Sequence, residues 1–191
     1  DRIDWESPRS IVQFLDQYVI GQDYAKRTVA VAFSTYVTRK KVGDEELPKE
    51  NIILIGPSGV GKTYMVSLLA KHVSLPMVQT NLTGKSTEGY KGENLSGVFG
   101  QLRAQTSGEA PYGVVFFDEI DKLTHDQWGS GSGFGLGLQD EIIGWLEEAV
   151  VSYAPESRNS SGMNSKLNTR NILFVVAGAF QGVGGESSLA G

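Results

Sequence analysis

An α/β fold, with a mainly parallel sheet covered by helices on both faces, is the class this sequence predicts. Three observations carry it. Short apolar runs alternate with segments of helical period. A glycine-rich turn joins one apolar run to the helix after it. Another apolar run stops abruptly at two adjacent acids, Asp118 and Glu119.

Ser7 and Pro8 read as an N-cap and a first helical residue, and Ile11, Phe14 and Leu15 give that helix a short apolar face. The stretch Tyr18-Val19-Ile20-Gly21-Gln22 breaks it. A longer helix is expected over 23–41, where Ala25, Val29, Ala32, Phe33 and Tyr36 recur at helical spacing. Residues 43–48 are a charged loop. A strand follows over 51–55, a helix over 62–73 with Met65, Leu68 and Leu69 on one side, and a second strand over 76–80. Leu95, Val98, Phe99 and Leu102 mark another helix. The run Val114-Val115-Phe116-Phe117 is too short for a helix and suits a strand buried on both faces. Leu138, Ile142, Ile143, Leu146 and Ala149 form one more helical stripe, and 171–177 a last strand. The Gly/Ser-rich stretch 129–137 and the polar stretch 156–169 read as loops.

Composition narrows the function classes. The 191 residues suffice for one domain with a substantial core. The absence of cysteine excludes disulfides, thiolate zinc sites and cysteine nucleophiles in this chain, and fits a reducing cytoplasm. No apolar run is long enough to span a membrane, and the acidic start, with Asp1, Asp4 and Glu6, is unlike a signal peptide. His72 and His125 lack ligand-like spacing. A net charge of −5 argues against a nucleic-acid partner. The one basic cluster, Arg39-Lys40-Lys41, reads as a solvated helix end where cations suit the helix dipole.

Two motifs carry the chemistry. Gly56-Pro57-Ser58-Gly59-Val60-Gly61-Lys62-Thr63 matches the phosphate-loop pattern G-x-x-x-x-G-K-[ST] in full, between an apolar strand and an amphipathic helix. Glycines let the backbone wrap phosphate oxygens closely, and the loop N–H groups with the helix N-terminus form an anion nest. Lys62 is expected to reach the β- and γ-phosphates of ATP or ADP, and Thr63 to offer its hydroxyl to Mg²⁺. Pro57, Ser58, Gly59, Val60, Gly61 and Tyr64 complete the expected nucleotide contacts. Val114-Val115-Phe116-Phe117-Asp118-Glu119 is the partner motif. Asp118 would hold Mg²⁺ through its water shell. Glu119 would orient or deprotonate the attacking water. The adjacent second acid points to hydrolysis rather than binding alone.

With both motifs in place, most of the chain resembles the AAA+ module of the Clp family of unfoldases, on the ClpX and HslU branch. Pro8 to Ile11 and Leu15 to Gln22 are similar to that family's opening segment, and the resemblance implies that Val19 and Ile20 contact the adenine. Thr87-Glu88-Gly89-Tyr90-Lys91-Gly92-Glu93 resembles the family's pore loop. There an aromatic residue, here Tyr90 between Gly89 and Gly92, grips unfolded polypeptide in the channel of a hexameric ring. Lys91 departs from the usual apolar neighbour. Residues 171–180 resemble the fourth core strand and its turn, but only alanine and glycine stand where many relatives carry a polar phosphate sensor. The stretches 129–137 and 156–169 correspond to further pore-facing loops.

The resemblance implies three parts: an N-terminal helical part on the adenine side (1–50), a P-loop α/β core (51–182) and an irregular tail (183–191). The helical lid, an arginine finger, a zinc module and an Ile-Gly-Phe docking tripeptide are not recognised, so truncation after the fourth core strand is expected. It further implies a cytoplasmic, Mg-dependent ATPase that threads protein substrates, forms a homo-hexamer when intact, and is a candidate partner of a ClpP-type peptidase. The alternatives are a nucleotide-binding module with little turnover and an AAA+ motor on nucleic acid.

Overall fold

The structure is a computed structural model that describes residues 3–43, 47–81, 95–106, 111–124, 134–153 and 165–180. Helix α1 (Pro8–Leu15) starts as its sequence dictates: the Ser7 hydroxyl accepts from the Ser10 N–H at 3.4 Å, with proline in the first turn. Helix α2 (Asp23–Val42) ends at Gly43, which takes the left-handed conformation that suits glycine after a helix. Between them Lys26, only 3% exposed, donates to Asp16 at 2.6 Å and fixes the corner. An ammonium buried this deeply needs such a partner.

A four-stranded, all-parallel sheet follows, in the order β1 (Asn51–Ile55), β6 (Ile172–Gly178), β3 (Gly113–Asp118), β2 (Met77–Asn81). The two central strands are the apolar ones, with β6 buried along its whole length and β3 buried up to Asp118. Alternation sends Ile52, Leu54, Val114, Phe116, Leu173 and Val175 into one core, shared with α1, α2 and α3 (Lys62–His72). Val115, Phe117, Phe174 and Val176 enter a second core, under α4 (Gly97–Gln105) and α5 (Phe134–Leu146). Helices thus cover both faces, the three-layer α/β/α arrangement that the alternation of elements predicts.

Two expectations need correction. Residues 134–137, read as the end of a glycine-rich loop, are the first turn of α5. Their glycines cost about 1 kcal/mol each in a helix, and the turns that follow anchor it, with Ile142 and Trp145 buried in the second core. Conversely, Ala149 lies beyond the helix. The second correction concerns 156–169. Its last residues form β5 (Ser165–Asn168), which pairs antiparallel with β4 (Val150–Tyr153). Only Leu167 of β5 is buried, so one apolar anchor in four residues leaves no legible strand period.

Candidate nucleotide site

Strand β1 runs directly into the phosphate loop at the carboxyl end of the sheet, where open α/β sheets place their ligands. Gly59 and Gly61 lie at φ +81° and +88°, a region costly for other residues. Gly61 caps α3 without any side chain, so the first helical N–H groups have no side-chain acceptor and are free for an anion. Lys62 folds back over the loop and donates to the carbonyls of Gly56 at 2.5 Å and Pro57 at 2.8 Å. Phosphate oxygens are stronger acceptors for an ammonium than these carbonyls, so this contact is exchangeable. Pro57 and Ser58 are exposed, Val60 half-buried, and Tyr64 half exposed on the first turn of α3.

The two motifs meet. The Thr63 hydroxyl donates to Asp118 Oδ2 at 3.3 Å across 55 residues of sequence. This pair of hard oxygen donors suits magnesium, which takes few protein ligands and completes its shell with water and phosphate. Among the described residues no group of three or more acids and histidines could hold a metal by itself. Asp118 Oδ1 accepts the Glu119 N–H at 2.9 Å. Glu119 sits at φ +57°, a left-handed conformation for a non-glycine residue. Its carboxylate is ion-paired with Lys122, in the 3₁₀ turn Ile120–Thr124. That hydrogen bond raises the Lys122 pKa above the ordinary lysine value.

The segment expected to touch adenine divides. Val19 is buried in the first core, whereas Ile20 is 98% exposed. The residue that reaches the loop is Gln22, for which the sequence alone predicts no contact: its side-chain amide donates to the Val60 carbonyl at 3.0 Å. Gly21 and Gln22 are both left-handed, at φ +67° and +60°, which turns the chain toward the loop. Gln22 and Ala25 face Leu54, Gly56, Lys62 and Met65 around a concavity of about 160 Å³. That is below the ~300–1,000 Å³ of pockets that enclose a drug-sized ligand. The pore-loop residues Gly89, Tyr90, Lys91 and Gly92 lie outside the described residues.

Comparison with known proteins identifies the family. Residues 52–179 match the family model described as "ATPase family associated with various cellular activities (AAA)". The chain is 36% identical to the "ATP-dependent Clp protease ATP-binding subunit ClpX" of Bacteroides fragilis, over 92% of this chain and 45% of that protein. It shows the same identity to ClpX of Bacteroides thetaiotaomicron, and to ClpX 2 of Wolinella succinogenes over 92% of this chain and 47% of the relative. The chain therefore spans about half the length of these relatives.

Proposed function

We infer, from the premise that this chain belongs to the AAA family of ATPases, that its site binds Mg-ATP and hydrolyses it. The observation that carries this is the hydrogen bond between Thr63 and Asp118, which brings the phosphate loop and the acid-bearing strand to one point. Lys62 exchanges its loop carbonyls for β- and γ-phosphate oxygens. The N–H groups of the loop from Ser58 through Thr63 and Tyr64 hold the phosphate chain. Magnesium would be held by Thr63 and Asp118 and would supply positive charge to the phosphate oxygens. Glu119 leaves Lys122 and takes a proton from water as the water oxygen bonds to the γ-phosphorus. The bond from phosphorus to the bridging oxygen breaks, and ADP departs with its electron pair. The base lies against the 19–22 segment, with Ile20 offering an exposed side chain and Val19 backing it from the core.

The coupled work we propose is unfolding and threading of protein substrates by a homo-hexamer in the cytoplasm, with a ClpP-type peptidase as the candidate partner. The likeness to proteins named as ATP-binding subunits of Clp protease supports this, as does Tyr90 between two glycines, a large contact surface for an extended chain. Among the described residues no helix is long and apolar enough to cross a membrane. The test is an assay of the full-length protein for ATP-dependent unfolding of a tagged substrate. Tyr90→Ala is expected to keep ATP turnover and lose unfolding; normal unfolding by that variant would overturn the pore-loop role. The small concavity favours a second reading for this chain alone, a nucleotide binder with little turnover whose site a neighbour completes.

A further inference from the structure

Strand β6 lies between the strand that carries the phosphate loop and the strand that carries the acids. Its own end, Ala177-Gly178-Ala179, offers no polar side chain to the site. Its main chain is nevertheless tied on both sides. The Gly56 N–H, at the first residue of the phosphate loop, donates to the Gly178 carbonyl at 3.1 Å. On the other side both oxygens of Asp121 accept successive backbone N–H groups, Ala179 to Oδ1 and Phe180 to Oδ2, each at 3.2 Å. A carboxylate that takes two adjacent amides fixes the turn in orientation as well as position.

The fit is close. A Cβ at Gly178 would stand 2.6 Å from Asp121 Oδ1 and 2.7 Å from the Phe180 ring, so a larger residue there would displace the carboxylate or the ring. Phe180 is held at φ +47° and Glu119 at φ +57°, two left-handed non-glycine residues that flank the same carboxylate. Such conformations persist where surrounding contacts over-determine them. Asp121 is two residues from Glu119, in the 3₁₀ turn that starts directly after it. Phosphate loop, β6 turn and acid turn are thus joined in one line of main-chain contacts that runs through the Asp121 carboxylate.

We propose that Asp121 is a positioning residue for hydrolysis: it ties the acid turn to the end of β6, and through Gly178 to the phosphate loop, and so sets where Glu119 stands relative to the γ-phosphate. The proposal rests on the reading of Glu119 as the base. Asp121 contacts no phosphate in this scheme, so its loss acts on the rate and spares nucleotide affinity. Misplacement by about 1 Å can cost ~10²-fold in rate, so a loss of roughly 10- to 100-fold is expected when the tie is cut.

The experiment is steady-state ATP turnover and equilibrium binding of Mg-ADP on the full-length protein. Wild type is compared with Asp121→Ala, Asp121→Asn, Gly178→Ala and Glu119→Gln. Asp121→Ala is expected to lower kcat by roughly 10- to 100-fold with KM and nucleotide Kd within about threefold. Asp121→Asn keeps one acceptor oxygen and should recover part of the rate. Gly178→Ala displaces the carboxylate and should imitate Asp121→Ala. If kcat per binding-competent site stays within twofold of wild type in Asp121→Ala, the proposal is wrong. Should that variant not fold, a wild-type rate in both Asp121→Asn and Gly178→Ala overturns it equally. A parallel fall of affinity and rate would assign Asp121 to folding or binding and contradict it. Normal turnover in Glu119→Gln would instead remove the base assignment, a failure separate from that of the tie.

Discussion

At the amino ends of the strands, cationic and phenolic groups terminate on main-chain carbonyls far away in sequence. Lys49 donates to the carbonyls of Trp145, Leu146 and Glu147, at 2.5, 3.1 and 2.8 Å, at the C-terminus of α5. Arg39 reaches the carbonyls of Pro48 and Arg170, and Tyr36 joins the starts of β3 and β6 by accepting from the Gly113 N–H and donating to the Asn171 carbonyl. At the carboxyl ends, Lys62 instead donates to carbonyls five and six residues away in its own loop. The same residue types stand at both ends, so cation density does not mark the site. Exchangeability does. The carbonyls that Lys49 holds at the helix C-terminus belong to a part-buried network, in which Asn51 also donates to Leu146 at 2.7 Å and Thr169 to Glu147 at 3.5 Å, whereas a phosphate can replace the partners of Lys62 without unfolding anything.

This contrast can be broken or sharpened by substitution. The largest effect is expected from Glu119→Gln in the full-length protein: hydrolysis falls ~10²–10⁴-fold while Mg-ATP binding persists. A turnover assay with a binding titration checks it, and unchanged turnover would remove the base assignment. Lys62→Ala is expected to weaken nucleotide binding by roughly 100-fold, as loss of two charge-assisted contacts implies. Thermal unfolding of the nucleotide-free variant should stay near wild type. At the other end the pattern inverts. Lys49→Met removes one donor from each of three helix-end carbonyls and is expected to cost ~1–3 kcal/mol in denaturant unfolding, with nucleotide affinity unchanged.

The pH dependence gives that variant a second readout. Burial, and then the neighbouring Arg39, lower the Lys49 pKa from 10.5 to about 8. Between those values the unfolded chain holds a proton that the native chain has released, so the contribution of this group to native stability rises with pH across that window. Below about pH 8 both states are protonated and the contribution is constant. The stability gap between wild type and Lys49→Met should therefore widen from about pH 8 to 10.5; a narrowing gap would contradict the burial of this ammonium. The smallest effect is expected from Gln22→Ala. It removes one amide-to-carbonyl contact on the phosphate loop, which predicts an affinity loss of about tenfold or less.

Much of the nucleotide end is readable along the chain because its parts are local. A strand, a glycine-rich turn and a helix are consecutive, and β3 announces itself as a run buried on both faces that ends in acids. Contacts set by tertiary packing are not readable in this way. Gln22 meets Val60 across 38 residues, and nothing local to either residue specifies the meeting. The split between buried Val19 and exposed Ile20 depends on the phase of the chain as it leaves α1, which two left-handed residues then redirect. Asp121 reads as one more acid in a polar turn until Ala179 and Phe180 stand beside it. The β4–β5 hairpin fails for a different reason, since pairing rather than its own periodicity makes β5 a strand. The Thr63–Asp118 contact could be anticipated because two motifs of known chemistry imply one ion between them.

A magnesium-bound triphosphate is expected at the carboxyl end of the sheet and at no other place on the chain. The most direct measurement is a titration of the isotope-labelled chain with Mg-ATP, followed by backbone amide resonances. Saturable shifts are expected at Gly59, Gly61, Lys62 and Thr63, with the amides of Gly113 and Thr169 at the opposite end unmoved. No saturable change at millimolar Mg-ATP, or shifts centred on Gly113 and Thr169, would contradict it.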